Sequence, residues 1–407
     1  MKQRNIFIKP WHGIIYSIVA LLGFSLITVY STDTNTFGTG GNSYQYVKHL
    51  LWIGIGILLM MIMAGIDYHY LQKFSIPILI VSSILLLLVL IPGVGTVTNG
   101  ARRWIRLGSM LGIQPSELAK VGMIIFISGY IAKNPDRMSE SVYGFAMPVI
   151  IVALISFLIV IEPDFGTATF IAVLSFIMLI VGGTRITFVL FMVIAAIPFI
   201  YKMVFEVSYR KDRILSFWDP WKDPSGTGYH IIQSWIALGS GGLTGVGIGS
   251  SKQKLFFLPE SSSDFIFTII GEELGFIGVM AVISLFGLLL WQGLRIVHGA
   301  KDTFGFFLGL GITVMFGLQA IINIAVVSGD IPTKGIPLPF VSSGGSSLLF
   351  SMISAGILIN ISRQSMTKEH SDASVCDTEL SQENTTGRLL PGKIWHKITS
   401  KIANFSW

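Results

Sequence analysis

The sequence predicts an all-α polytopic membrane protein, with ten transmembrane helices and one large extracytoplasmic loop between helices seven and eight. Three observations predict it. Hydrophobic residues make up 52% of the 407-residue chain and charged residues only 12%, about half the roughly 25% that a soluble domain carries. Mean hydropathy is +0.71. The apolar residues fall in runs of about 20, the length a helix needs to cross a bilayer core. These runs are apolar all round, without the alternation of an outer-membrane barrel strand.

Residues 1–11 hold Lys2, Arg4 and Lys9 before the first apolar run, as a signal peptide would. That run ends in Tyr-Ser-Thr-Asp with no small-x-small cleavage site, so a first anchor helix is expected. Spans are expected near 12–31, 49–66, 75–92, 114–132, 144–161, 166–183, 186–203, 265–294, 304–327 and 345–362. An even count places both termini on one side. Lys133 and Arg137, Arg295 and Lys301, and Arg363 and Lys368 then share that side with the basic N-terminus. Positive charge in short loops marks it as the cytoplasm. The organisation expected is a cytoplasmic N-terminus at 1–11, a ten-helix domain at 12–362 and a polar, disordered cytoplasmic tail at 363–407. The net charge of +6 is explained by this topology, and nothing points to nucleic acid. The single Cys376 excludes an intramolecular disulfide.

Two outer segments break the pattern. The loop GARRWIRLGSMLGIQPSELAK sets Arg102, Arg103 and Arg106 on the face that should be poor in positive charge. They either snorkel to lipid headgroups or meet an anion such as a phosphate, which guanidinium groups bind in bidentate fashion. The large loop, 204–264, holds SYRKDRILSFWDPW, a glycine-rich GSGGLTGVGIGSSKQK and LFFLPESSSD. Loops of this length are commonly functional.

Four constellations can carry chemistry. A helix begun at Asp264 would align Asp264, Thr268 and Glu272, with Glu272 about 12 Å deeper. Asp264 is then either a helix cap or a reactive carboxylate. Glu272 and Glu273 are ionisable groups inside a span and call for a partner or a wet cavity. Gly271, Gly275 and Gly278 suit close helix packing. In Gln114-Pro115-Ser116-Glu117-Leu118-Ala119-Lys120, Glu117 and Lys120 are neighbours on one face. They form a structural ion pair or present Lys120 to a phosphate. The turn Glu162-Pro163-Asp164-Phe165-Gly166 is a tight connection or, with Asp264, a set of oxygen ligands for Mg²⁺ or Mn²⁺. The run Ser328 to Ser347, with Lys334 and Ser346, is too rich in Pro and Gly for a span and forms a surface loop or an anion cradle. No H-E-x-x-H is present, and the glycine-rich stretch lacks the Lys-Ser/Thr of a P-loop.

GARRWIRLG with QPSELAK, then EPDFGTA, PES-x-x-DFIF-x-x-x-GEELGFIG, and N-x-A-V-V-x-G-x-x-PTKGIPLPFVS-x-GGSSLL together resemble the SEDS family of cell-wall polymerases, in family order, over roughly 12–362. The PTKGIPLPFVS wording is most similar to the cell-division branch, as against the elongation and sporulation branches. The resemblance implies a ten-helix membrane glycosyltransferase that polymerises lipid II into β-1,4 glycan outside the cytoplasmic membrane, at the septum. It implies the essential aspartate at Asp264, with the GEELG run and Lys120 lining the same cavity. As partners it implies the nascent glycan strand, a class B penicillin-binding protein transpeptidase and other division proteins. The sequence departs from the family in having Ser343, where Tyr is frequent, and Ser-Ser before Asp264, where His-Thr is frequent. In this chemistry Asp264 would be the base, and Arg102, Arg103, Arg106, Lys120 and Lys334 would face the departing diphosphate, with a divalent cation as helper. A lipid II flippase is the competing reading. It fits less well because the suspect groups gather at span ends, not at the midplane.

Overall fold

The computed structural model describes residues 9–34, 44–98, 101–108, 111–135, 138, 142–206, 208–254 and 262–386. The chain divides into two units, Met1–Ser362 and Arg363–Trp407. Its helices are α1 (Pro10–Thr34), α2 (Tyr44–Gly65), α3 (His69–Lys73), α4 (Ser75–Leu90), α5 (Pro115–Lys133), α6 (Val142–Ile161) and α7 (Phe165–Val181). They continue as α8 (Ile186–Phe205), α9 (Ser208–Trp218), α10 (Tyr229–Gly241), α11 (Ile266–Gly299), α12 (Thr303–Ser328) and α13 (Gly345–Thr386). Helix therefore continues past 363, where a disordered tail was expected. Residues 387–407 lie outside the described residues.

Eight helices among the described residues are long and apolar enough to cross a membrane: α1, α2, α5, α6, α8, α11, α12 and the first part of α13. Two more expected spans coincide with the shorter apolar helices α4 and α7. The expectation of an all-α chain needs one correction. Gly95–Thr98 (β1), Ala101–Leu107 (β2) and Leu111–Ile113 (β3) form a three-stranded antiparallel sheet between α4 and α5. Thr98 pairs with Ala101; the sequence between them, Asn99-Gly100, lies outside the described residues.

Helix α5 is the axis of the fold. Most of its residues are buried, and it packs against α4, α7 and α12. Pro115 opens it, Glu117 lies in its first turn and Lys133 in its last, which matches the helix dipole at both ends. Asp164 caps α7 by accepting from the Thr167 amide, and Asp302 caps α12 by accepting from Gly305. Helix α13 approaches α2 through small residues, with Gly345 against Trp52 and Gly356 against Met60 and Met63. By contrast α8 is exposed along most of its apolar length, as a lipid-facing helix is.

Helix α11 is broken at Gly275, which has φ 64° and ψ −161°. This corrects the reading of Gly275 as a packing residue alone. The freed carbonyls of Glu272 and Glu273 accept from Val246 and Gly247, at 3.0 and 3.1 Å. The freed amides of Phe276 and Ile277 donate to Gly242 and Leu243, at 2.9 and 3.2 Å. The glycine-rich loop thus supplies partners for these four groups, the condition for irregular backbone within a membrane.

Candidate functional site

Segments distant in sequence meet around a small cavity at the first turns of α5 and α7. Gln114, Glu117, Lys120, Thr167, Phe170, Gly335, Ile336 and Pro337 line it. Its volume is about 20 Å³, room for a single water molecule. Two helix N-termini point their partial positive charge at this space, which favours an anion.

On the α5 wall, Lys120 donates to Glu117 at 2.8 Å, both side chains being buried. The ammonium also lies 5.4 Å from the Phe170 ring centre. The α7 wall begins at the Glu162–Phe165 turn. Here Asp164 accepts from the Thr167 hydroxyl at 2.9 Å and from Gln114 at 3.4 Å. Arg103 grips the same turn through the carbonyls of Glu162 and Pro163, with its guanidinium 3.9 Å from Asp164. Glu162 is fully buried, and neither carboxylate oxygen has a hydrogen-bond partner among the described residues. Burial, then the neighbouring Asp164, push its pKa up to about 8, against the opposing pull of Arg103.

The third wall is the irregular connection from α12 to α13. Ser346 accepts from the Gln114 amide at 3.1 Å and so seats the start of α13 on α5. Lys334 lies 6.0 Å from the Phe165 ring centre. Burial lowers its pKa, with Asp164 opposing, so an arriving phosphate would favour the charged form. Gly335 lies directly under Asp264, since a Cβ there would stand 2.7 Å from Asp264 Oδ2. Asp264 itself precedes α11, whose N-cap is Phe265 with no side-chain cap. Its backbone is held from several directions: Ser342 donates to the Ser263 carbonyl at 2.6 Å, the Ser343 amide to the Ser262 carbonyl at 3.0 Å, and Gln45 to the Ser262 hydroxyl at 2.7 Å. Pro259, Glu260 and Ser261 of the same motif lie outside the described residues.

The structure thus brings together Asp264, Glu117, Lys120, Lys334, Ser346, the Glu162–Asp164 turn and Arg103. Other expected members go elsewhere. Arg103 is the extra residue of a β-bulge, because Thr96 and Val97 pair with Trp104 and Arg102. Arg102 donates to the Leu90 carbonyl, and Arg106 is exposed. The three arginines are therefore not one cluster. Glu272 accepts from the Ser251 hydroxyl at 2.5 Å and the Lys252 amide at 2.9 Å. Glu273 pairs with buried Lys254 at 2.7 Å and accepts from Ser31 at 2.5 Å. Both carboxylates fasten the glycine-rich loop to α11 and α1 instead of lining the cavity. Nor do Glu162, Asp164 and Asp264 form a ligand set, for no group of three metal-binding His, Cys, Asp or Glu side chains occurs among the described residues. Sequence reasoning gave no role to Gln45, Ser342 or Phe170. Their partners lie far away in the chain, and no spacing rule connects them.

Residues 12–367 match the family model described as "Cell cycle protein", that of FtsW, RodA and SpoVE. "Probable peptidoglycan glycosyltransferase FtsW" of Trichlorobacter lovleyi is 44% identical over 349 residues, 85% of this chain and 91% of that protein. "Stage V sporulation protein E" of Bacillus subtilis is 41% identical over 348 residues, 85% and 94% of the two. A solved structure described as "Structural coordination of polymerization and crosslinking by a peptidoglycan synthase complex" superposes with TM-score 0.72 at 25% identity, covering 87% of this chain and 98% of that one. The Rod shape determining protein RodA of Thermus thermophilus shares the fold, with TM-score 0.64 at 24% identity over 88% and 98% of the two chains. This multi-pass helical membrane protein belongs to the FtsW/RodA/SpoVE family.

Proposed function

We propose that this chain is a peptidoglycan glycosyltransferase that polymerises lipid II at the outer face of the cytoplasmic membrane during cell division. The observation that carries the reading is the Asp264 carboxylate seated over Gly335, a residue that lines the same cavity as Lys120 and Glu117. The names of its relatives support the same chemistry. In the reaction, the acceptor sugar 4-hydroxyl oxygen attacks the anomeric carbon of the lipid-linked donor. The bond from that carbon to the diphosphate oxygen breaks, and the diphosphate leaves with the electron pair. Asp264 takes the hydroxyl proton. Attack opposite the leaving group turns an α-linked donor into a β-1,4 product. Lys120, Lys334 and Arg103, with the N-termini of α5 and α7, supply positive potential where the diphosphate gains charge. Neutralisation by Glu117 keeps Lys120 ready without an uncompensated buried charge.

The proposal includes ten spans, α4 and α7 among them, with both termini cytoplasmic and the protein at the septum. It also includes a class B penicillin-binding protein as partner, a choice supported by the synthase complex that the fold resembles. A divalent cation, Mg²⁺ or Mn²⁺, enters in one form only: Asp264 would be its single protein carboxylate, with substrate phosphates completing the shell. No step above depends on it.

The test is lipid II polymerisation by the purified chain with its transpeptidase partner, with and without Mg²⁺ or Mn²⁺, comparing wild type with Asp264→Asn. Glycan ladders from wild type alone are expected. Equal ladders from both would remove Asp264 from the chemistry. Headgroup translocation across vesicles without any ladder would favour the flippase.

A further inference from the structure

Asn323 lies on α12 and is 1% exposed within an apolar helix. Its single amide nitrogen donates twice, to the Asp264 carbonyl at 2.9 Å and to the Ile336 carbonyl at 2.8 Å. An amide –NH₂ has two hydrogens, so both are used. The carbonyl oxygen of the same side chain is buried and has no partner among the described residues. A half-satisfied buried amide is worse for stability than an apolar side chain of the same shape. Such a breach of core chemistry is expected where a site needs a particular geometry.

The two carbonyls it joins belong to the two sides of the site. One is the backbone of Asp264, which immediately precedes the N-cap of α11. The other follows Gly335, the residue beneath the Asp264 carboxylate, and Ile336 also lines the cavity. Asn323 therefore ties the Asp264 backbone directly to the wall residue Ile336, beside the bridge that Ser342 makes between Ser263 and Leu338. We infer that Asn323 is a positioning residue for the reaction, holding Asp264 in register with the Gly335–Pro337 wall. This inference rests on the polymerase reading. It deepens that reading by naming what orients the base.

The experiment uses the full chain with its transpeptidase partner and lipid II, comparing wild type with Asn323→Leu and Asn323→Gln. Leu keeps the volume and apolar character of the site but removes both bonds. Gln keeps the –NH₂ on a longer arm. The expected result for Leu is a kcat lower by about 100-fold, the scale of a misplaced catalytic group, with KM within about threefold and a lower melting temperature, because two carbonyls lose their donor. Gln is expected to recover part of the lost kcat. Wild-type kcat in the Leu variant would overturn the inference. So would a loss shared equally by Leu and Gln and matched by a fall in melting temperature, which would make Asn323 a packing residue only. A folded wild type that makes no glycan would instead overturn the polymerase reading on which the inference stands.

Discussion

The two ends of one short helical segment, Ile266 to Leu274, use acidic residues in opposite ways. At its start Asp264 is partly exposed and faces Gly335, a residue of the cavity wall. At its end Glu272 and Glu273 are buried and held, by Ser251 and Lys252 in one case and by Ser31 and Lys254 in the other. A buried carboxylate whose lone pairs are taken by its own chain holds structure together. One that is partly exposed beside a cavity-wall glycine is placed, in the proposed reaction, to meet a substrate hydroxyl. Depth in the membrane does not separate the two ends; exposure and the groups around each acid do.

Mutations can break this contrast, in descending order of expected effect. Asp264→Asn should abolish polymerisation and leave the melting temperature within a few degrees of wild type. Glu273→Gln should do the reverse. It leaves Lys254 buried without its counter-charge, at a cost of about 3–5 kcal/mol. Thermal unfolding in detergent should show the loss, with activity per folded molecule kept. If Glu273→Gln were as stable as wild type but inactive, the contrast would fail. Gly335→Ala tests the cavity side, since the new methyl group must displace the Asp264 carboxylate. A roughly tenfold to 100-fold loss of kcat is expected at unchanged stability.

Glu162 sharpens the comparison most gently, as a third acid that is buried with no carboxylate partner among the described residues. Its pKa is raised from 4.5 to about 8. Between those values the folded protein binds more protons than the unfolded chain, so this group's effect on stability worsens as pH rises from about 4.5 to 8 and then levels. Glu162→Gln should remove that slope. Melting temperatures of both forms at pH 5 and pH 8 measure it, and parallel slopes would show that Glu162 is not the source.

The spans were legible because continuous apolarity is a local property, visible without knowledge of neighbours. Asp264, Lys120 and the Glu162–Asp164 turn were legible because an acid or a base among apolar residues stands out wherever its partner lies. The sheet was not legible, although Thr98-Asn99-Gly100-Ala101 is a hairpin signal, because Ala101–Leu107 carries three arginines and no clean apolar–polar alternation. The roles of Glu272 and Glu273 could not be read from spacing. Their partners are 19 to 21 residues away through a glycine-rich loop, and Ser31 is 242 residues away. The break at Gly275 was hidden for the same reason. A glycine among glycines is equally consistent with packing and with a backbone no other residue can adopt.

The loop that mends this break is read by its peptide groups, not by its side chains. Leu243 is 72% exposed and Val246 43% exposed, yet the carbonyl of one and the amide of the other are joined to α11. Evolution can therefore alter those two side chains widely while the number of residues between Gly242 and Gly247 stays constant. Inserting one residue there would shift the register of four bonds at once. In an alignment this stretch should vary in letters but show no gaps.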